Sequence, residues 1–180
     1  MKLFKRLVYR LRGEYTTEAL VAMGMTVGKN LHRMRGVILD PGHCWLITLG
    51  DNVGLATGVQ ILCHDASTKT WLGHTRIGRV TVGDNVFIGA GTIVLPGVTI
   101  GDNVIVGVNS TVSRDIPPNT VAVGSPAAPI MTLDEFLDRH RAAMERGPVY
   151  DESFTLRQNV PMEKRLRQRA DLADTCGYIV

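Results

Sequence analysis

Between Val82 and Val112 an aliphatic residue returns at every sixth position, as Val82, Ile88, Val94, Ile100, Val106 and Val112. A helix repeats its buried face every 3.6 residues and a half-buried strand every 2, so this interval belongs to neither element alone. It describes a short strand plus a corner, used repeatedly as a solenoid. The corners are legible too. Gly83-Asp84-Asn85 and Gly101-Asp102-Asn103 each follow an aliphatic position, and Gly50-Asp51-Asn52 and Gly28-Lys29-Asn30 repeat the pattern upstream. Gly and Asn tolerate the positive φ of a tight turn. Gly89, Ala90, Gly91 and Gly107 are small where neighbouring coils crowd. Three units make a triangular coil, and coils stacked about 4.8 Å apart bury a column of Val and Ile while pairing each backbone group with the next coil.

This pattern resembles the hexapeptide-repeat acyltransferases, and is similar to the sugar, galactoside, maltose and capsule-polysaccharide O-acetyltransferases among them. The resemblance implies an all-β solenoid, a left-handed parallel β-helix with α-helical appendages at both ends. The left hand comes from the resemblance alone, because crossovers between parallel strands are normally right-handed. The expected organisation is an N-terminal helical segment (1–24), a β-helix acyltransferase domain (25–130) with an extruded loop (63–79), and a C-terminal helical extension (131–180).

Few aromatic residues, 19 glycines and many Val and Ile suit a solenoid better than a globular α/β domain. Cys44, Cys63 and Cys176 are odd in number and lack disulfide or metal spacing, which points to a reducing compartment. With no signal peptide and no apolar run near 18 residues, the expected location is the cytoplasm. The net charge of +3 is uneven: Lys2, Lys5, Arg6, Arg10 and Arg12 put +5 on the first twelve residues and leave −2 on the rest. A basic pI that reflects one end of the chain does not argue for nucleic acid.

Residues 2–12 place Leu3, Phe4, Leu7, Val8 and Leu11 on one helical face with the basic residues around it. Such a helix packs on the β-helix or a neighbouring subunit; the alternative is weak contact with an anionic membrane surface, at the inner face of the membrane. Thr16 or Thr17 can cap a second helix reaching Ala22, which Gly24 breaks. Leu49, Leu55 and Ile61 hold the interval of six. Then Ile61 to Val82 takes 21 residues, three more than a coil, and the excess leaves as a polar loop from Cys63 to Arg79. The stack is expected to end near Pro117-Pro118, whose rings remove ladder donors. Thr132-Leu133-Asp134-Glu135 is a capping box opening a helix to about Arg146, and Glu163 to about Asp174 reads as a charged helix.

An aliphatic coil has no chemistry of its own, so function lies in the loop, on the coil surface or between subunits. Moving an acyl group from a thioester to a hydroxyl needs a general base, a backbone donor for the oxyanion and a groove for the carrier. In the family it resembles, a histidine opens the extruded loop after a Val-x-Ile rung, and Val59-Gln60-Ile61 precedes His64 in that way. The resemblance makes His64 the general base, with Asp65 as a supporting residue. Trp71 and His74 on the same loop are the candidates for acceptor contact, Trp71 by stacking on a sugar. A zinc carbonic anhydrase built on the same β-helix uses three histidines, a long gap followed by a close pair. His43, His64 and His74 lie 21 and 10 apart, so no metal is expected.

The resemblance further implies that acetyl-CoA lies in a groove between two subunits of a homotrimer. It would touch Gly89, Ala90, Gly107 and Val108, with the Ala90 amide as oxyanion donor and Ser113 and Arg114 at the nucleotide end. Phe87 stands where many relatives carry Trp, and Ala128-Pro129 stand where a basic residue often follows the Gly-x-Pro-Ala segment. The implied activity is acetyl-CoA-dependent O-acetylation of a sugar hydroxyl, in a precursor or repeat unit of a surface polysaccharide. Two other readings remain open: a serine or nucleotide-aminosugar acceptor, and a non-catalytic β-helix assembly module.

Overall fold

The computed structural model describes residues 14–180. The basic segment 2–12, and with it both readings of its amphipathic face, lies outside the described residues. The described chain forms two compact units, one ending at Leu133 and the other spanning Asp134–Val180.

The first unit opens with α1 (Thr17–Ala22). The Thr16 hydroxyl accepts the Ala19 N–H at 3.2 Å, and Gly24 follows the helix at φ +108°. Strands β1 (Thr26–Val27), β2 (His32–Arg33) and β3 (Ile38–Leu39) make the first turn of a coil, and β4 (Ile47–Leu49), β5 (Gly54–Leu55) and β6 (Gln60–Ile61) make the second. An excursion follows, of β7 (His64–Asp65), α2 (Lys69–Leu72) and β8 (Arg76–Ile77). The third turn is β9 (Val80–Val82), β10 (Phe87–Ile88) and β11 (Ile93–Val94); the fourth is β12 (Thr99–Ile100), β13 (Ile105–Val106) and β14 (Thr111–Val112). The chain visits three sheets in rotation. Strands β1, β4, β9 and β12 share one, β2, β5, β10 and β13 the second, and β3, β6, β11 and β14 the third, all paired in parallel.

The six-residue aliphatics point inward. Leu49, Val82 and Ile100 line one sheet, Leu55, Ile88 and Val106 the next, and Leu39, Ile61, Val94 and Val112 the third, each at most 2% exposed. Burying each such side chain stabilises the fold by about 1.5–3 kcal/mol. At one corner Asn30, Asn52, Asn85, Asn103 and Asn119 all have φ between 55° and 57°. Each amide donates to the oxygen of the next asparagine at 2.9–3.1 Å, forming a ladder up the coil. The aspartates before them accept backbone N–H groups of the coil below, Asp84 from Asp51 and Asp102 from Asp84.

Two sequence expectations need correction. Val82 pairs with Leu49 and Val94 with Ile61, 33 residues apart, whereas later coils pair at 18. The chain thus spends one ordinary six-residue step between Ile61 and Val82 and sends 15 residues out of the coil, rather than a whole coil plus three. The stack also does not stop at Pro117-Pro118. Ile116 still bridges to Ile100, and β15 (Thr120–Gly124) continues the second sheet on β13. The prolines occupy a corner, where no ladder donor is required; the Ile116 and Asn119 N–H groups on either side reach Thr99 O and Asp102 O at 2.9 Å. Antiparallel β16 (Ala127–Thr132) then folds back on β15.

Helix α3 (Leu133–Arg146) leads into the second unit, starting within the capping-box segment and ending before Gly147-Pro148. There β17 (Val149–Tyr150) pairs in parallel with β18 (Tyr178–Ile179), and α4 (Met162–Asp171) lies between them in sequence, ending three residues before the expected Asp174. No helix among the described residues is long and apolar enough to cross a membrane.

Candidate active site

His64 stands where the chain leaves the third sheet. It opens β7, which pairs antiparallel with β8 so that His64 faces Ile77 and Asp65 faces Arg76. Its Nδ1 lies 2.5 Å from Asp40 Oδ2. Asp40 directly follows β3, and β3 lies in register with β6, Leu39 opposite Ile61, so a separation of 24 positions amounts to one step up the coil. Asp40 is only 1% exposed. Its Oδ2 also accepts the Cys63 N–H at 2.9 Å, and its Oδ1 the Gly42 N–H at 3.1 Å. Burial pushes this carboxyl up, but the bonds from His64, Cys63 and Gly42 outweigh burial and hold it below its ordinary value. An ionised carboxylate can only accept, so Nδ1 of His64 carries the hydrogen, and in the neutral imidazole Nε2 keeps its lone pair. The side chain is 42% exposed, so the ring is reached from solvent.

His43 flanks the pair. Its ring lies 5.2 Å from that of His64 and 5.4 Å from that of Trp45, and its Nδ1 is buried without a hydrogen-bond partner. Ligand atoms of Asp40, His43 and His64 fall within 4.8 Å of one another, the one such group among the described residues. At 2.5 Å, Asp40 Oδ2 and His64 Nδ1 stand closer than two ligand atoms of one tetrahedral zinc, which lie about 3.3 Å apart. The pair has the geometry of proton transfer. His74, the third histidine weighed for a metal, is elsewhere on the loop, its Nδ1 2.7 Å from Leu72 O.

Asp65 does not orient His64 in this structure. Its Oδ1 accepts the Ser67 N–H at 2.9 Å, and that turn bond holds its carboxyl below the ordinary value. Adjacent residues on a strand project to opposite faces, which is why Asp40 rather than Asp65 meets the imidazole. Trp71, on α2, is 81% exposed. Among the described residues no hydrogen bond or ring contact joins Trp71 or His74 to His64.

The residues expected to meet the donor form a second group. Gly89 directly follows β10 against the next coil, where a Cβ would sit 2.7 Å from Val108 N and 2.8 Å from the Gly107 carbonyl carbon. Any larger residue would part the coils at this point. Ala90 O accepts the Asn109 N–H at 2.8 Å. Val108 and Phe87 turn apolar side chains outward, 67% and 50% exposed. Ser113 and Arg114 are exposed just after β14, and the neighbouring Asp115 is committed to the Thr99 N–H at 2.7 Å.

Sequence reasoning missed Asp40 and passed over His43. The signal lay in the corners: Gly28-Lys29-Asn30 and Gly50-Asp51-Asn52 are 22 residues apart, and that offset applied to Asp40 lands on Leu62, two positions before His64.

A three-faced parallel coil of six-residue units, with a carboxylate-held histidine where the chain leaves it, is a hexapeptide-repeat architecture. The bacterial transferase hexapeptide (six repeats) family matches residues 79–114. The putative acetyltransferase YvoF of Bacillus subtilis is 35% identical over 121 residues, 67% of this chain and 68% of that protein. A maltose O-acetyltransferase from Clostridium difficile 630 is 33% identical with a TM-score of 0.54, over 72% of this chain and 84% of that one. A galactoside acetyltransferase in complex with coenzyme A is 28% identical with a TM-score of 0.58, over 74% and 80%. This chain belongs to the hexapeptide-repeat transferase family. It spans about half the length of other curated relatives, 44% of one and 56% of another.

Proposed function

We propose that the chain is an acetyl-CoA-dependent O-acetyltransferase acting on a sugar hydroxyl, with His64 as general base. The observation that carries this is the Asp40–His64 hydrogen bond at the foot of the excursion, which leaves Nε2 of a part-exposed ring as the proton acceptor. The acceptor hydroxyl gives its proton to Nε2 as its oxygen attacks the thioester carbonyl. The negative charge that develops on the carbonyl oxygen is met by the Ala90 amide. Collapse breaks the carbon–sulfur bond, and the imidazolium returns the proton to the departing sulfur, giving O-acetyl sugar and free coenzyme A. Asp40 stays ionised throughout and holds the ring in the productive tautomer.

Similarity to a galactoside acetyltransferase that binds coenzyme A and to a maltose O-acetyltransferase supports both substrates. In this reading the coil is left-handed, as in the family it resembles, and residues 25–130 are the catalytic domain. The donor groove is shared between subunits of a homotrimer and lined by Gly89, Ala90, Gly107 and Val108. The exposed Phe87 and Val108 supply apolar surface for pantetheine or a neighbouring subunit. A surface-polysaccharide precursor is the proposed acceptor.

The test is thiol release from acetyl-CoA with mono- and oligosaccharides, serine and aminosugars, alongside calorimetry with coenzyme A. Sugar-dependent release supports the reading. Release with serine alone moves the acceptor, and neither release nor binding identifies an assembly module.

A further inference from the structure

Trp45 is an exposed aromatic residue to which the proposed reaction gives no task. It sits in the short 3-10 turn Cys44–Leu46 before β4 and is 55% exposed. Its ring lies 5.4 Å from that of His43, which lies 5.2 Å from that of His64. The three rings form a run from solvent to the base. Its support is rigid: Cys44 is fully buried with its Sγ 3.6 Å from Leu20 O, and a Cβ at Gly24 would come within 3.0 Å of Trp45 Cβ. A large, part-exposed apolar ring is thus held on a fixed base, one ring removed from the proton acceptor.

We infer that Trp45 is the platform on which the acceptor stacks. A pyranose ring carries a face of C–H bonds that packs on indole while its hydroxyls stay free around the rim, so a sugar seated there presents a hydroxyl toward His64 Nε2. The inference rests on the proposed sugar acetylation and narrows its acceptor to a pyranose ring; serine has no such face. Among the described residues no ring contact joins Trp71 to this run, so the inference gives the stacking role to Trp45 instead.

The chain has two tryptophans, so the assignment can be read by emission as well as by rate. In Trp71→Phe all tryptophan emission comes from Trp45, and a methyl pyranoside that supports thiol release shifts it saturably. In Trp45→Phe, which reports Trp71 alone, the same sugar leaves emission unchanged. Trp45→Ala raises the acceptor KM about tenfold, the size of an aromatic stacking contribution, while the KM for acetyl-CoA is unchanged, and Trp45→Phe recovers most of the loss. Flat emission from Trp71→Phe with a sugar that wild type acetylates, or an unchanged acceptor KM in Trp45→Ala, overturns the assignment. If Trp45→Ala fails to fold, the emission titration of Trp71→Phe decides. If wild type releases thiol with no sugar, the functional reading itself fails and this assignment falls with it.

Discussion

Asp40 Oδ2 and His64 Nδ1 lie 2.5 Å apart although the two residues stand 24 positions apart in the chain. The coil makes them neighbours, because each circuit returns the backbone one strand higher over the same sheet. Proximity of this kind costs no long-range folding step once the coil has formed.

Replacing the carboxylate by an amide keeps its shape and removes its charge. Asp40→Asn can present an N–H to Nδ1, which drives the imidazole hydrogen onto Nε2 and takes away the base. The expected result is a kcat lower by roughly 10²–10⁴ with the KM for acetyl-CoA unchanged, read by steady-state thiol release beside a thermal melt. A wild-type kcat in a folded Asp40→Asn protein would remove Asp40 from the reaction.

The same carboxylate makes stability depend on pH. Its folded value lies below the ordinary 3.8, because the bonds from His64, Cys63 and Gly42 outweigh burial. Its contribution is therefore complete above 3.8 and is lost as pH falls through the lower folded value. Urea midpoints of wild type and Asp40→Asn should differ at neutral pH and draw together in strong acid. A gap that widens on acidification contradicts the assignment.

The three thiols should separate by reactivity. Burial, reinforced by the negative charge of Asp40, pushes Cys63 up to about 12, and burial also raises Cys44, whereas Cys176 is exposed. Titration with a disulfide reagent at pH 8 should find one fast thiol in the native protein and three after unfolding. Cys176→Ser should abolish the fast phase; a fast phase that persists means the coil opens near Cys63.

Neighbouring residues on β10 should behave oppositely. Ile88 is fully buried and Phe87 is 50% exposed. Ile88→Ala is expected to cost about 2–5 kcal/mol in urea unfolding, and Phe87→Ala under about 1 kcal/mol. Equal costs would mean that the strand does not turn Ile88 into the core.

The coil was legible because its two signals are local and redundant: an aliphatic residue every six positions and asparagines where φ must be positive. Thr16 and the Thr132 segment marked their helices for the same reason, since capping chemistry is written within four residues. What the sequence obscured depended on register. The excursion after Ile61 was counted against a whole coil because nothing local distinguishes six plus 15 residues from 18 plus three. Pro117-Pro118 read as a stop because the loss of an N–H matters on a strand, and only the fold puts these prolines on a corner. Asp65 stands out in sequence and Asp40 does not, because adjacency along the chain is visible, and adjacency between coils is visible only once the offset of 22 is applied.

The most direct measurement compares His64→Ala with wild type for coenzyme A binding by calorimetry and for sugar-dependent thiol release on one preparation. The account predicts unchanged binding with transfer lowered by roughly 10²–10⁴. A His64→Ala protein that transfers acetyl at the wild-type rate would contradict it.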